Sequence, residues 1–193
     1  VRVKGIEAEF TGLVSDSLRF DGNLALTDSK VKSDTLAIDS ALAEDASTPI
    51  LLANGGNPFD PAVTAARGAT AISLKGNELS KIPHVVANAR LTYARSLDDY
   101  GQFKISISYT YRDNFQARVF NNPIADPVPS YNMVDVNVAW APTSGNWTAE
   151  LIVKNLFNED AVNSRFTDNF GVAATSEELL APRLVLGRLS YQY

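Results

Sequence analysis

The side chains best equipped for chemistry are few, and their company argues against most of it. His84 is the only histidine in 193 residues. A catalytic histidine needs a nucleophile and an orienting group, and a metal-binding one needs further ligands. Asp113, Asn114 and Ser130 are the available partners, an incomplete set for either task. His84, next to Pro83, is therefore expected to start a strand. Asp34, Asp39, Glu44, Asp45, Glu177 and Glu178 are of types that hold divalent cations or touch a ligand. Their setting in polar connectors reads instead as solvated loop charge. Residues 51–60 include Asn54, Gly55, Gly56, Asn57 and Pro58, but lack the lysine and the following helix of a phosphate-cradling loop, and read as turns. Cysteine is absent, so neither a disulfide nor a thiolate metal site forms. A net charge of -5 with no basic stripe excludes nucleic acid as a partner. No cofactor site is expected.

The elements that carry these residues alternate with a period of two, the signature of strands with unlike faces. Residues 101–111 do so without error: Phe103, Ile105, Ile107, Tyr109 and Tyr111 interleave with Gln102, Lys104, Ser106, Ser108 and Thr110. The same template fits residues 17–27, 83–93, 131–140, 147–157 and 182–193. Residues 1–10 fit it with a parity shift near Lys4 and Gly5 that a bulge would explain. Seven strands of about ten residues each match the length that crosses a bilayer core at a tilt. No apolar run is long enough for a membrane helix, and a mean hydropathy of -0.08 does not speak against a barrel, whose polar and apolar faces cancel.

Short connectors at 11–16, 94–100 and 141–146 alternate with long ones at 28–82, 112–130 and 158–181. That asymmetry marks a membrane barrel, with brief turns on one side and elaborated outer loops on the other. Phe10, Phe20, Tyr93, Phe103, Trp140, Trp147, Tyr191 and Tyr193 then gather at the inner ends of the apolar face as an interfacial girdle. Arg19, Asp21, Arg90, Lys104, Asp135, Glu150, Lys154 and Arg188 face the lumen, pairing with one another and with whatever fills it.

The Asn-Leu-Phe-Asn segment at 155–158, followed after one long connector by Ala181, Pro182, Arg183 and an aromatic-ended strand, resembles the C-terminal part of TonB-dependent outer-membrane receptors. Residues 4–9 and 81–93 resemble earlier strands of that family. The resemblance spans the chain except residues 28–80. It implies an all-β fold: seven meandering antiparallel transmembrane strands, the last third of a β-barrel of about 22 strands. It also implies a separate plug domain, absent from this piece. The function implied is import of a scarce nutrient (a ferric siderophore, cobalamin or a saccharide) with energy relayed by TonB, and no catalysis. Implied partners are outer-membrane lipid and lipopolysaccharide, the rest of the barrel, the plug, TonB through the plug, a small ligand, and the barrel assembly machinery. That machinery would read the terminal strand through Tyr191 and Tyr193.

Three rivals make different demands. A soluble β-sandwich binding module would bury the apolar face beneath a second sheet. A barrel enzyme would bring a nucleophile to His84. A complete eight-stranded barrel would hide a strand at 69–79.

Overall fold

The computed structural model describes residues 1–143, 145–168 and 173–192. In chain order the elements are β1 (Arg2–Ser15), β2 (Leu18–Lys30), β3 (Leu36–Ile38), α1 (Ser40–Ala53), α2 (Pro61–Ala69), β4 (Ala71–Ser73), β5 (Val85–Ser96), β6 (Gln102–Arg112), β7 (Phe115–Gln116), β8 (Pro127–Val128), β9 (Tyr131–Ala141), β10 (Trp147–Lys154), β11 (Val162–Thr167), β12 (Thr175–Leu179) and β13 (Leu184–Tyr191). Seven of them form one antiparallel meander in the order β1-β2-β5-β6-β9-β10-β13. The sheet is open, with β1 and β13 as its edges. The remaining strands pair as separate ladders, β3 with β4, β7 with β8 and β11 with β12, all in the long connectors.

The apolar face of the sheet has no second layer over its centre. Leu91, Ile107 and Leu151 remain 41%, 42% and 49% exposed. A sandwich would have buried them, so that rival is set aside. The eight-stranded rival fails too, because residues 71–73 pair with β3 and not with the main sheet.

Several boundaries differ from the sequence reading, for physical reasons. The ladder of β1 with β2 runs unbroken past Gly5, which opposes Thr27, and its irregularity lies between Leu13 and Ser15. The apolar parity changes at Val3 because the strand continues beyond its two-faced stretch, and pairing needs only backbone. The 11–16 connector shrinks to a turn at Asp16 and Ser17 for the same reason: Gly12 and Leu13 still pair with Phe20 and Arg19. At its other end β2 extends to Lys30 through polar residues on both faces. The second tight turn in the chain, after β5, depends on Gly101, whose φ of 97° suits glycine. A Cβ there would stand 2.0 Å from the Ala141 carbonyl oxygen.

The 28–82 connector is not a plain loop. It contains two helices, each capped by an aspartate: Asp39 accepts from Ala41 N at 3.2 Å, and Asp60 accepts from Ala62 N at 2.8 Å. Asp60 followed by Pro61 is a helix-start signature that was legible in the sequence. Residues 51–60 are thus followed by a helix after all, though still without a lysine.

Among the described residues, buried apolar side chains are confined to the long connectors; Val63 and Val128 have no exposure. An ion cluster ties two connectors together. Arg118 holds Asp39 and Asp126, each at 2.6 Å and each with 0% side-chain exposure. Asn122 closes the group, donating from its side chain to Asp39 at 3.0 Å and from its backbone to Asp126 at 2.7 Å. A second seam runs alongside. Asn77 donates to the Val119 and Phe120 carbonyls, and Glu78 N donates to Asn121 Oδ1 at 2.7 Å. His84 fastens that seam to β2, with Nδ1 3.0 Å from the Thr27 carbonyl oxygen and Nε2 3.1 Å from Glu78 Oε1. Both partners are acceptors, so satisfying both requires the imidazolium. The Thr27 carbonyl first, then Glu78, raise the His84 pKa above its ordinary value.

Arg118→Met should leave two buried carboxylates without their cation, a local loss of about 3–5 kcal/mol. Hydrogen exchange should then accelerate at least about a hundredfold in α1, with β5 and β6 unchanged. For His84, the contribution to the seam is fully present below the free value of about 6.5 and is lost as pH rises through the higher folded value. An NMR titration should place the His84 midpoint above about 6.5, and Glu78→Gln should move it down. A midpoint at or below 6.5 would mean the clasp is not made.

Candidate functional site

The strand register sorts the candidate residues between two faces, because directly opposed residues point the same way. Arg19, Asp21, Arg90, Lys104, Asp135, Glu150, Lys154 and Arg188 all share one face, at odd offsets from the Phe10–Gly22 row. This face is hollow. One depression is bordered by Arg19, Asp21, Asn88 and Arg90, and another by Lys104, Ser106, Asp135 and Glu150. Glu7 and Glu9 lie on the same face and were missed, because the parity shift assumed at Gly5 obscured them.

Charge on the face is largely self-compensated. Arg19 bonds Asp21 at 2.7 Å, Lys154 bonds Asp135 at 2.7 Å, and Arg188 stands 3.1 Å from Glu150. Arg90 opposes Asp21 in the ladder, yet its Nε donates to Ser108 Oγ at 3.1 Å.

The opposite face carries Phe10, Phe20, Tyr93, Phe103, Trp140, Trp147 and Tyr191. Their positions descend as a staircase. Phe20 lies two residues beyond the Phe10 row, Tyr93 four, Phe103 and Trp140 six, and Trp147 and Tyr191 eight. Eight residues at about 3.3 Å, over six strand spacings of about 4.8 Å, give a slope of about 40°. Strands of membrane barrels tilt by about 35–45°. A row that is oblique in the sheet is therefore level in a barrel. Trp140 and Trp147 meet edge to face at 5.1 Å, and the Trp140 ring nitrogen donates to the Tyr100 carbonyl at 2.8 Å. Tyr193 lies outside the described residues.

The Asn-Leu-Phe-Asn segment forms the corner where β10 hands over to β13. Asn155 and Asn158 both adopt positive φ, at 50° and 55°, a conformation asparagine tolerates. The buried Asn155 amide donates to the carbonyls of Glu159 and Ala181, and its oxygen accepts from Glu159 N. Asn158 Oδ1 accepts from Arg183 N at 2.9 Å. The two halves of the motif are thus one hydrogen-bonded unit.

The reading as solvated loop charge holds for Asp34, Asp45, Glu177 and Glu178, which are exposed, and fails for Asp39, which is buried. Asp39 is buried under Arg118, Glu44 binds Arg67 at 2.7 Å and Glu177 binds Arg165. Asp34 accepts from Ser73, and Glu178 from Ser164 and Asn163. Asp45 is exposed. Among the described residues no cluster of histidine, aspartate and glutamate is arranged to hold a metal. His84 has both ring nitrogens engaged, and Asp113 reaches it only through its charge.

Comparison with known proteins agrees with this geometry. The family model described as TonB dependent receptor-like, beta-barrel matches residues 1–156. Among curated proteins no sequence matches the chain. Similar solved structures include the ferric yersiniabactin uptake receptor FyuA from Yersinia pestis, at TM-score 0.63 and 14% identity, over 97% of this chain and 22% of that one. The ferric preacinetobactin receptor BauA from Acinetobacter baumannii gives 0.61 and 15%, over 98% and 22%. The ferric-catecholate import receptor Fiu from E. coli gives 0.57 and 15%, over 97% and 20%. The chain thus spans about a fifth of the length of these receptors. With seven tilted strands, one apolar and one polar face and a matching family model, the chain belongs to the TonB-dependent receptors, outer-membrane β-barrels of Gram-negative bacteria.

Proposed function

We propose that these 193 residues form wall and outer loops of an active transporter that imports a scarce nutrient across the outer membrane, drawing energy from TonB through a plug. The observation that carries this reading is the aromatic staircase opposite a charged hollow, since only a tilted barrel with lipid outside and water inside calls for both. Phe10, Phe20, Tyr93, Phe103, Trp140, Trp147 and Tyr191 serve as the inner girdle. The charged face borders the lumen and its plug, and the sewn connectors form the outer mouth. Ferric-siderophore cargo is the favoured class, supported by the ligands for which the three similar receptors are named. The role of the wall is passive: it shapes and lines the conduit, and no catalytic step is assigned to it.

In the intact receptor reconstituted in bilayers, lipids brominated near the headgroup should quench tryptophan emission, and combining Trp140→Phe with Trp147→Phe should remove that quenchable component. Deleting the receptor gene should abolish growth on a ferric siderophore as the sole iron source. Tryptophans open to aqueous quenchers and closed to lipid ones would contradict the barrel placement.

A further inference from the structure

The apolar face of the sheet ends, on β1 and β2, in three cations around one carboxylate, and we infer that Arg2, Lys4 and Lys30 seat the phosphate of an outer-leaflet lipid headgroup. This rests on the barrel placement proposed above. Arg2 opposes Lys30 and Lys4 opposes Asp28, on the same face as Ile6, Leu26 and Phe10. Arg2 gives Asp28 one terminal nitrogen, at 3.3 Å. Lys4 and Lys30 are exposed, and neither has a hydrogen bond or ion pair among the described residues. One carboxylate thus answers three cations. All three lie at one end, since the opposite end of this strand pair closes on Asp16 and Ser17.

Their depth follows from the aromatic row. Four residues outward from that row the same face presents Ile6, Leu24, Ala89, Ile107, Val136 and Leu151, all apolar. Eight residues outward it turns polar, with Arg2, Asp28, Tyr111 and Asn132, and Val85 on β5 is the exception. Eight residues at about 3.3 Å, on strands leaning by about 40°, rise about 20 Å, close to the apolar band of about 25 Å in membrane barrels. The polar row is the outer edge of hydrocarbon, and Tyr111 sits there as an interfacial aromatic. Arg2 and Lys30 therefore stand among headgroups. Lys4 starts one step deeper, beside a hollow bordered by Ile6, Leu26, Asp28 and His84, so its stem lies on apolar surface while its ammonium reaches upward. Ile6 and Leu26, 70% and 42% exposed, are left for an acyl chain to cover. A headgroup phosphate brings negative charge to this depth and accepts hydrogen bonds from the guanidinium and both ammonium groups.

The test is native mass spectrometry of the intact receptor in detergent, titrated with bisphosphorylated lipid A, with its dephosphorylated form, and with inorganic phosphate as competitor. Combining Arg2→Gln, Lys4→Gln and Lys30→Gln should weaken retention of the phosphorylated lipid at least about tenfold and leave the dephosphorylated one unchanged. Combining Lys4→Arg with Lys30→Arg, which keeps the charge, should retain it. Both variants should show the heat-modifiable migration of a folded barrel. Equal retention by wild type and the triple variant would overturn the seat, as would displacement of the lipid by millimolar inorganic phosphate, the mark of a free-phosphate site. Tryptophan quenching by headgroup-brominated lipid, measured on the same wild-type protein, separates the two readings: its absence faults the barrel placement, whereas equal retention with quenching intact faults only the seat.

Discussion

Inside hydrocarbon no backbone N–H or C=O can be left to solvent, and the rest of this structure follows from that restriction. Helices could meet it, but among the described residues no helix is long and apolar enough to cross. Laterally paired strands meet it instead, with each strand satisfied by the next. Pairing then fixes parity, and parity divides every strand between two solvents. One face gathers phenylalanine, tyrosine, tryptophan, leucine and isoleucine, whereas the other tolerates arginine beside aspartate. The ordinary logic of a core is inverted, since large apolar residues such as Leu189 at 74% exposure lie on the outside of the sheet.

The fold class was legible because the two-solvent rule writes itself into alternation. Strand ends were not, and the reason is consistent. Alternation reports where hydrocarbon lies, whereas strand length reports where backbone pairing continues. In β1 and β2 these differ, since pairing persists through Asp28, Ser29 and Lys30 into water. The helices of the first long connector were also overlooked, although Asp39 and the Asp60–Pro61 pair announce their starts. Reading that region for strands alone hid them. Which loop carboxylates are buried was beyond reach, because Arg118 is 79 residues from Asp39 and nothing local links them.

The long connectors obey a different physics from the sheet. They fold apart from its two faces and need a core of their own, and Phe115, Ala117 and Val128 supply a small one. It is too small to hold two long connectors by apolar burial alone. Polar crosslinks make up the difference: the Asp39–Arg118–Asp126 cluster, the asparagine seam and the His84 clasp. Arg112 does similar work nearby, stacked between Phe115 and Tyr131 while donating to the Val162 and Asn163 carbonyls. The long connectors are therefore organised by directional contacts, each of which specifies one arrangement of its partners.

Stagger links these two physics. Because the aromatic row slips by eight residues over six steps, levelling that row in a barrel makes the strands lean, and leaning displaces their ends sideways as they rise. Connectors that leave neighbouring strands thus start from displaced positions and overlap, which brings residues 77–78 alongside 119–121. The same slope governs the two open edges. A neighbouring strand can join β1 or β13 only in a register that continues the staircase, since a slip of one residue would turn its lipid face to the lumen. The aromatic row is in this sense a gauge of register for the whole sheet, and the charged hollow opposite inherits its alignment from it.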